Sequence, residues 1–323
     1  MFEILYASDS RYFELMMTSI YSLLENNKNI LINLHIVDGG FSDEQKLELE
    51  KMLYRYGITY KIHSIDVIRK YLDKFNIPLW RGTEVSNARL FASEIIKDDY
   101  KAIYIDSDTI IDGPIEHLFY TDNEYPISAS REIIIPKHMK NKTNEYYNSG
   151  VLLYDFRVCD DNKFLDKLLK TSKEKKDLLV YPDQDLLNIA LYDEIGRVPF
   201  SYNISPKVYD VYNYPHVYSK SDDISEKTID EIVKELEKPC IYHMLSYMSV
   251  RPWQENNIHP FNEILEEYLY KVYPNYKKEE IDLLVAKLSL LPSINRLGKM
   301  YVPKFIDKGI KKVMKRALCK EEL

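Results

Sequence analysis

Tyr100-Lys101-Ala102-Ile103-Tyr104-Ile105 runs without a break into Asp106-Ser107-Asp108-Thr109. The first segment is mostly apolar and aromatic, as in a strand covered on both faces. Such strands build parallel sheets, and open α/β sheets bind ligands beyond the carboxyl ends of their strands. Asp106 and Asp108 stand at such an end. Two carboxylates that close repel each other, and a local cation removes the repulsion. A divalent ion held there can bridge two phosphates and stabilise the charge on a departing diphosphate. Asp-x-Asp also arises by chance in loops; the apolar lead-in and the strand-end position favour the ligand-binding reading.

Working outward, the pattern alternates between strand and helix. Phe2 to Ala7 reads as a buried strand. A helix follows with Leu15, Met16, Ile20, Leu23 and Leu24 on one face, ended by Asn26-Asn27. Ile30 to Val37 is a second strand, closed by Asp38-Gly39-Gly40. Ser42 is placed as an N-cap, with Gln45 completing a capping box. That helix runs to about Tyr56 and breaks at Gly57, and Ile58 to His63 is a third strand. Glu84 to Ile96 is a helix, Val151 to Tyr154 a short strand, Asp183 to Tyr192 a helix opened by Pro182, and Ile241 to His243 a late strand. The order implies βαβ units and a mostly parallel sheet, so the fold class is α/β.

Phe261 to Val272 and Glu279 to Leu290 read as surface helices. Residues 1–258 are therefore expected to form the catalytic domain and 259–323 a helical C-terminal region. From Arg296 to Lys320 basic residues dominate, with Asp307 the lone acid. Phe305, Ile306, Ile310, Val313, Met314, Ala317 and Leu318 recur at helical spacing opposite Lys304, Lys308, Lys311, Lys312, Lys315 and Arg316. A basic amphipathic tail on an acidic protein reads as an anchor on an anionic membrane surface. The plainer alternative is a packed helix with a solvated lysine face.

The 323 residues are enough for a real core, and the net charge of −7 argues against nucleic acid as a partner of the body. Cys159, Cys240 and Cys319 form no CxxC and are odd in number, which points to a reducing compartment without a disulfide framework. The N-terminus has no basic, apolar leader, and no apolar run is long enough to span a bilayer. A cytoplasmic protein, peripheral on the inner face of the cell membrane, is expected.

Three further constellations carry chemistry. Tyr147-Asn148-Ser149-Gly150 leads into an apolar strand; it can present an amide to a sugar hydroxyl, or be only a turn. Asp183-Gln184-Asp185 follows Pro182, where acids suit a helix N-terminus on dipole grounds alone. His243 ends a strand and offers a third metal ligand, although a lone histidine is more often structural. Arg251 can neutralise phosphate, and Trp253 can simply pack.

Taken in order, these motifs resemble glycosyltransferase family 8, the retaining GT-A-fold enzymes. The likeness runs through Ala7-Ser8-Asp9, His35-Ile36-Val37-Asp38-Gly39-Gly40, Asn87-Ala88-Arg89-Leu90, Ile103 to Asp108, Asn148 to Leu153, Asp183 to Asn188 and His243. It implies a Rossmann-like GT-A domain acting on a UDP-hexose, galactose or glucose. Ala7 and Asp9 would contact the nucleoside. Asp106, Asp108 and His243 would ligate Mn²⁺, with Mg²⁺ as an alternative. Arg89, Asp106, Asn148, Asp183 and Gln184 would hold the hexose, with Ser107 and Ser149 beside them, and Asp185 would sit near the reacting face. The acceptor would be a glycan or lipid-linked glycan.

One stretch departs from the family's pattern. His-x-x-Gly-x-x-Lys-Pro-Trp is replaced by His243 to Trp253 with no glycine, two more residues, and Arg251 for the lysine. Arginine keeps the charge and can fork onto phosphate, but is bulkier. That change motivates a rival reading, a non-catalytic nucleotide-sugar-binding or glycan-binding protein. A second rival is an Asp-x-Asp phosphatase of the haloacid dehalogenase type. It wants Thr or Val two residues beyond the second Asp, where this chain has Ile110.

Overall fold

The structure is a computed structural model and describes residues 1–96, 101–121, 124–140, 142–158, 161–219, 224–247, 250–255 and 259–280. The strands are β1 (Phe2–Ser8), β2 (Ile32–Asp38), β3 (Thr59–Ser64), β4 (Lys101–Ile105), β5 (Thr109–Ile111), β6 (Ile127–Arg131), β7 (Tyr147–Asp155), β8 (Ile195–Arg197) and β9 (Ile241–His243). Seven of them form one sheet in the order β3-β2-β1-β4-β7-β6-β8. Only the two pairings made by β7 with β4 and β6 are antiparallel. The sheet is therefore mostly parallel, as expected from the alternating pattern.

β1 is buried along its whole length, and its side chains alternate between two cores. Leu5 and Ala7 face one, with Ala102, Tyr104, Leu152 and Tyr154. Phe2, Ile4 and Tyr6 face the other, with Ile103, Ile105, Val151 and Leu153. The period of two is the pleat itself, and a core on both faces is why these strands read as unbroken apolar runs.

Three early helices alternate with the strands: α1 (Phe13–Asn26), α2 (Asp43–Tyr56) and α3 (Asp66–Phe75). The α2 capping box forms, with Gln45 N donating to Ser42 Oγ at 3.2 Å and Ser42 N to Gln45 Oε1 at 3.0 Å. Gly57 closes the helix at φ 63°, a left-handed conformation that glycine adopts without a Cβ penalty.

The expected helix over Glu84–Ile96 is instead a 3₁₀ helix over Val85–Phe91 followed by one α turn, Ala92–Ile95. The tighter winding stacks residues three apart. Arg89 Nε accordingly donates to Ser86 O at 2.8 Å, and the rest of its guanidinium reaches the sheet end.

The expected strand Val151–Tyr154 begins earlier, at Tyr147. Polar Ser149 is buried within it because helix Pro182–Ala190 supplies partners, and Asn148 because Glu132, Gly150 N and Asn203 do. Asn188 accepts from Tyr147 N at 2.7 Å and donates to Tyr147 O at 2.8 Å, as a neighbouring strand would.

Strand β6, Ile-Ser-Ala-Ser-Arg, has too few apolar residues to be legible, yet Ser128 and Ser130 are buried. The helix Asn262–Val272, expected on the surface, buries Leu265, Tyr268 and Leu269.

The chain divides into two compact units. The first comprises Met1–Leu245 and Glu263–Tyr276; the second runs over Ser246–Asn262 and from Lys277 onward. In the second, Glu279 pairs with Gln254, and Glu255 N donates to Glu279 O at 2.9 Å. The expected helix beyond Glu280 and the basic tail lie outside the described residues. Among those described, no helix is long and apolar enough to cross a membrane.

Candidate active site

After β3 the chain returns to the other side of β1, so β1 and β4 flank the point where the strand order reverses. Crevices at such switch points bind ligands. Ser107, buried, donates to Ala7 O at 2.9 Å and ties the two strand ends together. Gly39 lets β2 close on the same place: a Cβ there would stand 2.2 Å from Val85 Cγ1 and 2.8 Å from Ser8 O. Asp9 lies just beyond β1 and pairs with Arg11 at 2.6 Å. Burial would raise the Asp9 carboxyl, but the hydrogen bonds and charge of Arg11 hold it below its ordinary value.

The small sheet β5–β9 brings His243 to the Asp-x-Asp motif. Its antiparallel register sets Thr109 opposite His243. His243 Nε2 lies 3.6 Å from Asp106 Oδ2 and 3.3 Å from Asp108 Oδ1. One ligand atom from each of the three lies within 4.8 Å of the others. Thr109 Oγ1 donates to Asp106 O at 2.8 Å, which helps set the turn between the carboxylates.

The direction of the hydrogen bonds tests whether a cation fits here. Gly150 N is a backbone donor, so the Asn148 atom it meets at 2.8 Å is the carbonyl oxygen. Asn203 Nδ2 donates to that oxygen at 2.8 Å, which leaves Asn203 Oδ1 facing His243 Nδ1 at 2.9 Å. Nδ1 therefore carries a proton, and in the neutral ring Nε2 turns its lone pair toward two carboxylates. Electron pairs aimed at one another around a common point are the donor set of a cation, and imidazole with two carboxylates suits Mn²⁺ or Mg²⁺. Gly150 adds a second sign. A Cβ there would come 2.1 Å from His243 Cε1 and 2.9 Å from Asp106 Oδ2, so only glycine leaves this space open.

Arg89, 6% exposed, joins this cluster to a second one. It forks onto Asp106 at 2.6 and 3.1 Å, and its Nε meets Asp183 Oδ2 at 3.1 Å. It also donates to Ser149 O and Oγ at 2.7 and 2.9 Å. Burial alone would depress the guanidinium; Asp106, Tyr104 and Asp183 together keep it charged well above its ordinary range. Burial pushes the Asp106 carboxyl up against the pull of Arg89, and Asp108 adds to the rise.

Gln184 Oε1 accepts from Ser149 N at 3.0 Å, so Asp183, Gln184 and Ser149 form one wall. Asp185 is elsewhere. It has no exposed surface and accepts from Tyr146 OH at 2.5 Å, Tyr181 N at 2.7 Å and His138 Nε2 at 2.9 Å. Arg251 belongs to the second unit, where its guanidinium sits 5.3 Å over the Trp253 ring.

Four neighbours were not foreseen from the sequence. Tyr104 OH donates to Asp106 Oδ1 at 2.7 Å; strand alternation does put residues 104 and 106 on one side, so a signal existed. Glu132 accepts from Asn148 Nδ2 at 2.8 Å, and its burial pushes its carboxyl up. Asn203 and Tyr146 complete the set. Glu132 and Asn203 stand alone in their segments and reach the site only through tertiary contacts, whereas Tyr146 directly precedes the Tyr147–Gly150 motif and turns its hydroxyl to Asp185.

Comparison with known proteins agrees with the fold first. The galactosyltransferase LgtC, solved with donor and acceptor sugar analogues, superposes with a TM-score of 0.70 at 19% identity over 83% of this chain and 95% of that one. GlyE of Streptococcus pneumoniae superposes with a TM-score of 0.61 at 19% identity, over 91% of this chain and 65% of that one. The fold is that of the GT-A glycosyltransferases. Residues 3–257 match the model of glycosyl transferase family 8, and the chain belongs to that family. Curated relatives include general stress protein A of Bacillus subtilis, 26% identical over 80% of this chain and 87% of that protein. Lipopolysaccharide 1,2-glucosyltransferase of Escherichia coli K12 is 23% identical over 79% and 73% respectively.

Proposed function

We propose that this glycosyltransferase moves galactose or glucose from a UDP-sugar to a glycan or lipid-linked glycan of the cell surface, with retention at the sugar carbon. The observation that carries the reading is the meeting of Asp106, Asp108 and His243 at the β1–β4 switch point, with Arg89, Asp183 and Gln184 beside them. Asp106, Asp108 and His243 would hold Mn²⁺ or Mg²⁺, which when bound supplies charge neutralisation for the departing diphosphate.

The remaining roles belong to the chain itself. Ala7 and Asp9 would line the nucleoside side. Ser107 keeps the β1 and β4 ends together through its bond to Ala7 O. Arg89 holds Asp106 and Asp183 in place through its ion pairs, so that Asp183 and Gln184 present oxygens to hexose hydroxyls beside Asn148 and Ser149. The sugar carbon would pass through an oxocarbenium-like state. Gln184 is a weak nucleophile, and its oxygen is engaged by Ser149 N at 3.0 Å. Front-face attack follows, with the leaving phosphate accepting the acceptor's proton. The basic tail would hold the enzyme on the inner face of the membrane.

A panel of UDP-sugars, assayed for Mn²⁺-dependent release of UDP, tests the reading. Turnover of UDP-galactose or UDP-glucose is expected, and Asp108→Asn should lower it about 100-fold with an unchanged unfolding midpoint. Near-normal turnover in that variant would overturn the metal assignment. Binding without turnover would favour a sugar-binding protein.

A further inference from the structure

We infer that Asn203, backed by Asn148 and Glu132, is a positioning residue that fixes the tautomer and orientation of His243 toward the cation. This rests on the proposed metal role of His243. The chain of bonds is continuous: Asn148 Nδ2 to Glu132 Oε1 at 2.8 Å, Asn203 Nδ2 to Asn148 Oδ1 at 2.8 Å, and His243 Nδ1 to Asn203 Oδ1 at 2.9 Å. Its polarity is not free to reverse, because the Asn148 amide is anchored on both its atoms. Gly150 N, a backbone donor, holds Asn148 Oδ1 at 2.8 Å. The Glu132 carboxylate accepts from Asn148 Nδ2 at 2.8 Å. Every amide along the line is therefore set, and the last one fixes a proton on His243 Nδ1, so that Nε2 is the lone-pair nitrogen of the neutral ring.

From Asn148 to His243 the chain is buried. Asn148 is 8% exposed, Asn203 3% and His243 2%, so water does not readily replace a missing partner. The arrangement gives Asn148 a duty apart from any contact with a sugar. Its carbonyl oxygen accepts two internal bonds and one of its amide protons is committed to Glu132. Partners behind a ligating histidine orient the ring and raise its basicity, and their removal typically costs about 10–100-fold in metal affinity.

The test measures Mn²⁺ binding by the electron paramagnetic resonance of the free ion, on the full chain without donor. Proton–nitrogen correlation spectra of histidine-labelled, metal-free protein report the ring tautomer. Asn203→Leu should weaken Mn²⁺ binding by about 10–100-fold and turn the His243 signal from Nδ1–H alone to a tautomer mixture. Asn203→Asp keeps an acceptor for Nδ1–H and should restore the single tautomer, with affinity within about 5-fold of wild type. Glu132→Gln keeps an acceptor oxygen at the far end and should bind as wild type does. Wild-type affinity and a single Nδ1–H tautomer in Asn203→Leu would overturn the inference. So would equal losses in Asn203→Leu and Asn203→Asp, since these mark a packing role alone. If the wild-type chain itself binds no Mn²⁺, the metal reading fails, which is a different result from either.

Discussion

Two Asp-x-Asp triplets lie in this chain, Asp106-Ser107-Asp108 and Asp183-Gln184-Asp185, and they are built in opposite ways. The first occupies the turn between β4 and β5, where both carboxylates come to His243. The second occupies the first turn of helix Pro182–Ala190. Residues two apart on a helix differ by about 200° around the axis. Asp183 therefore faces Arg89 and Ser149, while Asp185 faces inward to Tyr146, Tyr181 N and His138. A spacing in the sequence becomes a pair of ligands on one backbone and a divided pair on another. Arg89 is the link between them, because its guanidinium contacts one acid from each triplet.

Breaking that link should have the largest effect. Arg89→Met leaves the buried Asp183 and the half-buried Asp106 without their shared cation, at a cost of about 3–5 kcal/mol in urea unfolding. A loss below about 1 kcal/mol would mean that the two carboxylates do not depend on it. Next comes Gly150→Ala. The added methyl has to displace His243 or Asp106, and Mn²⁺ affinity should fall about 100-fold while the sheet stays intact by circular dichroism. Retained affinity would show that the first triplet tolerates a shifted histidine.

The smallest effect sharpens the contrast within the second triplet. Asp185→Asn should destabilise by about 1.5–3 kcal/mol, since its carboxylate accepts three bonds, and leave Mn²⁺ affinity unaltered. Asp183→Asn should reduce turnover more than stability. Equal profiles for the two variants would erase the distinction.

Local chemistry made much of the frame legible. Ser42 and Gln45 spell out their capping box, Gly57 its left-handed stop, and Lys101–Ile105 its buried strand, because each depends on residues near in sequence. The sequence predicts a helix over Glu84–Ile96, but apolar spacing alone does not separate α winding from the 3₁₀ winding that Val85–Phe91 adopts. Ser128 and Ser130 hid β6, because a serine reads as exposed until a neighbouring strand covers it. Asn203 and Glu132 carry no motif; their importance comes only from what they touch.

The sequence by itself determined the alternation of strands and helices, the mostly parallel sheet and the two carboxylates at the end of β4. Those follow from periodicity and caps, which act over a few residues. Only the tertiary structure decided that β9 pairs with β5 and carries His243 to Asp106 and Asp108. It also decided that Arg89 joins the two triplets and that Asp185 turns away. These depend on contacts between segments far apart in the chain, where the gain comes from burying charge and hydrogen bonds together, and no local pattern encodes that meeting.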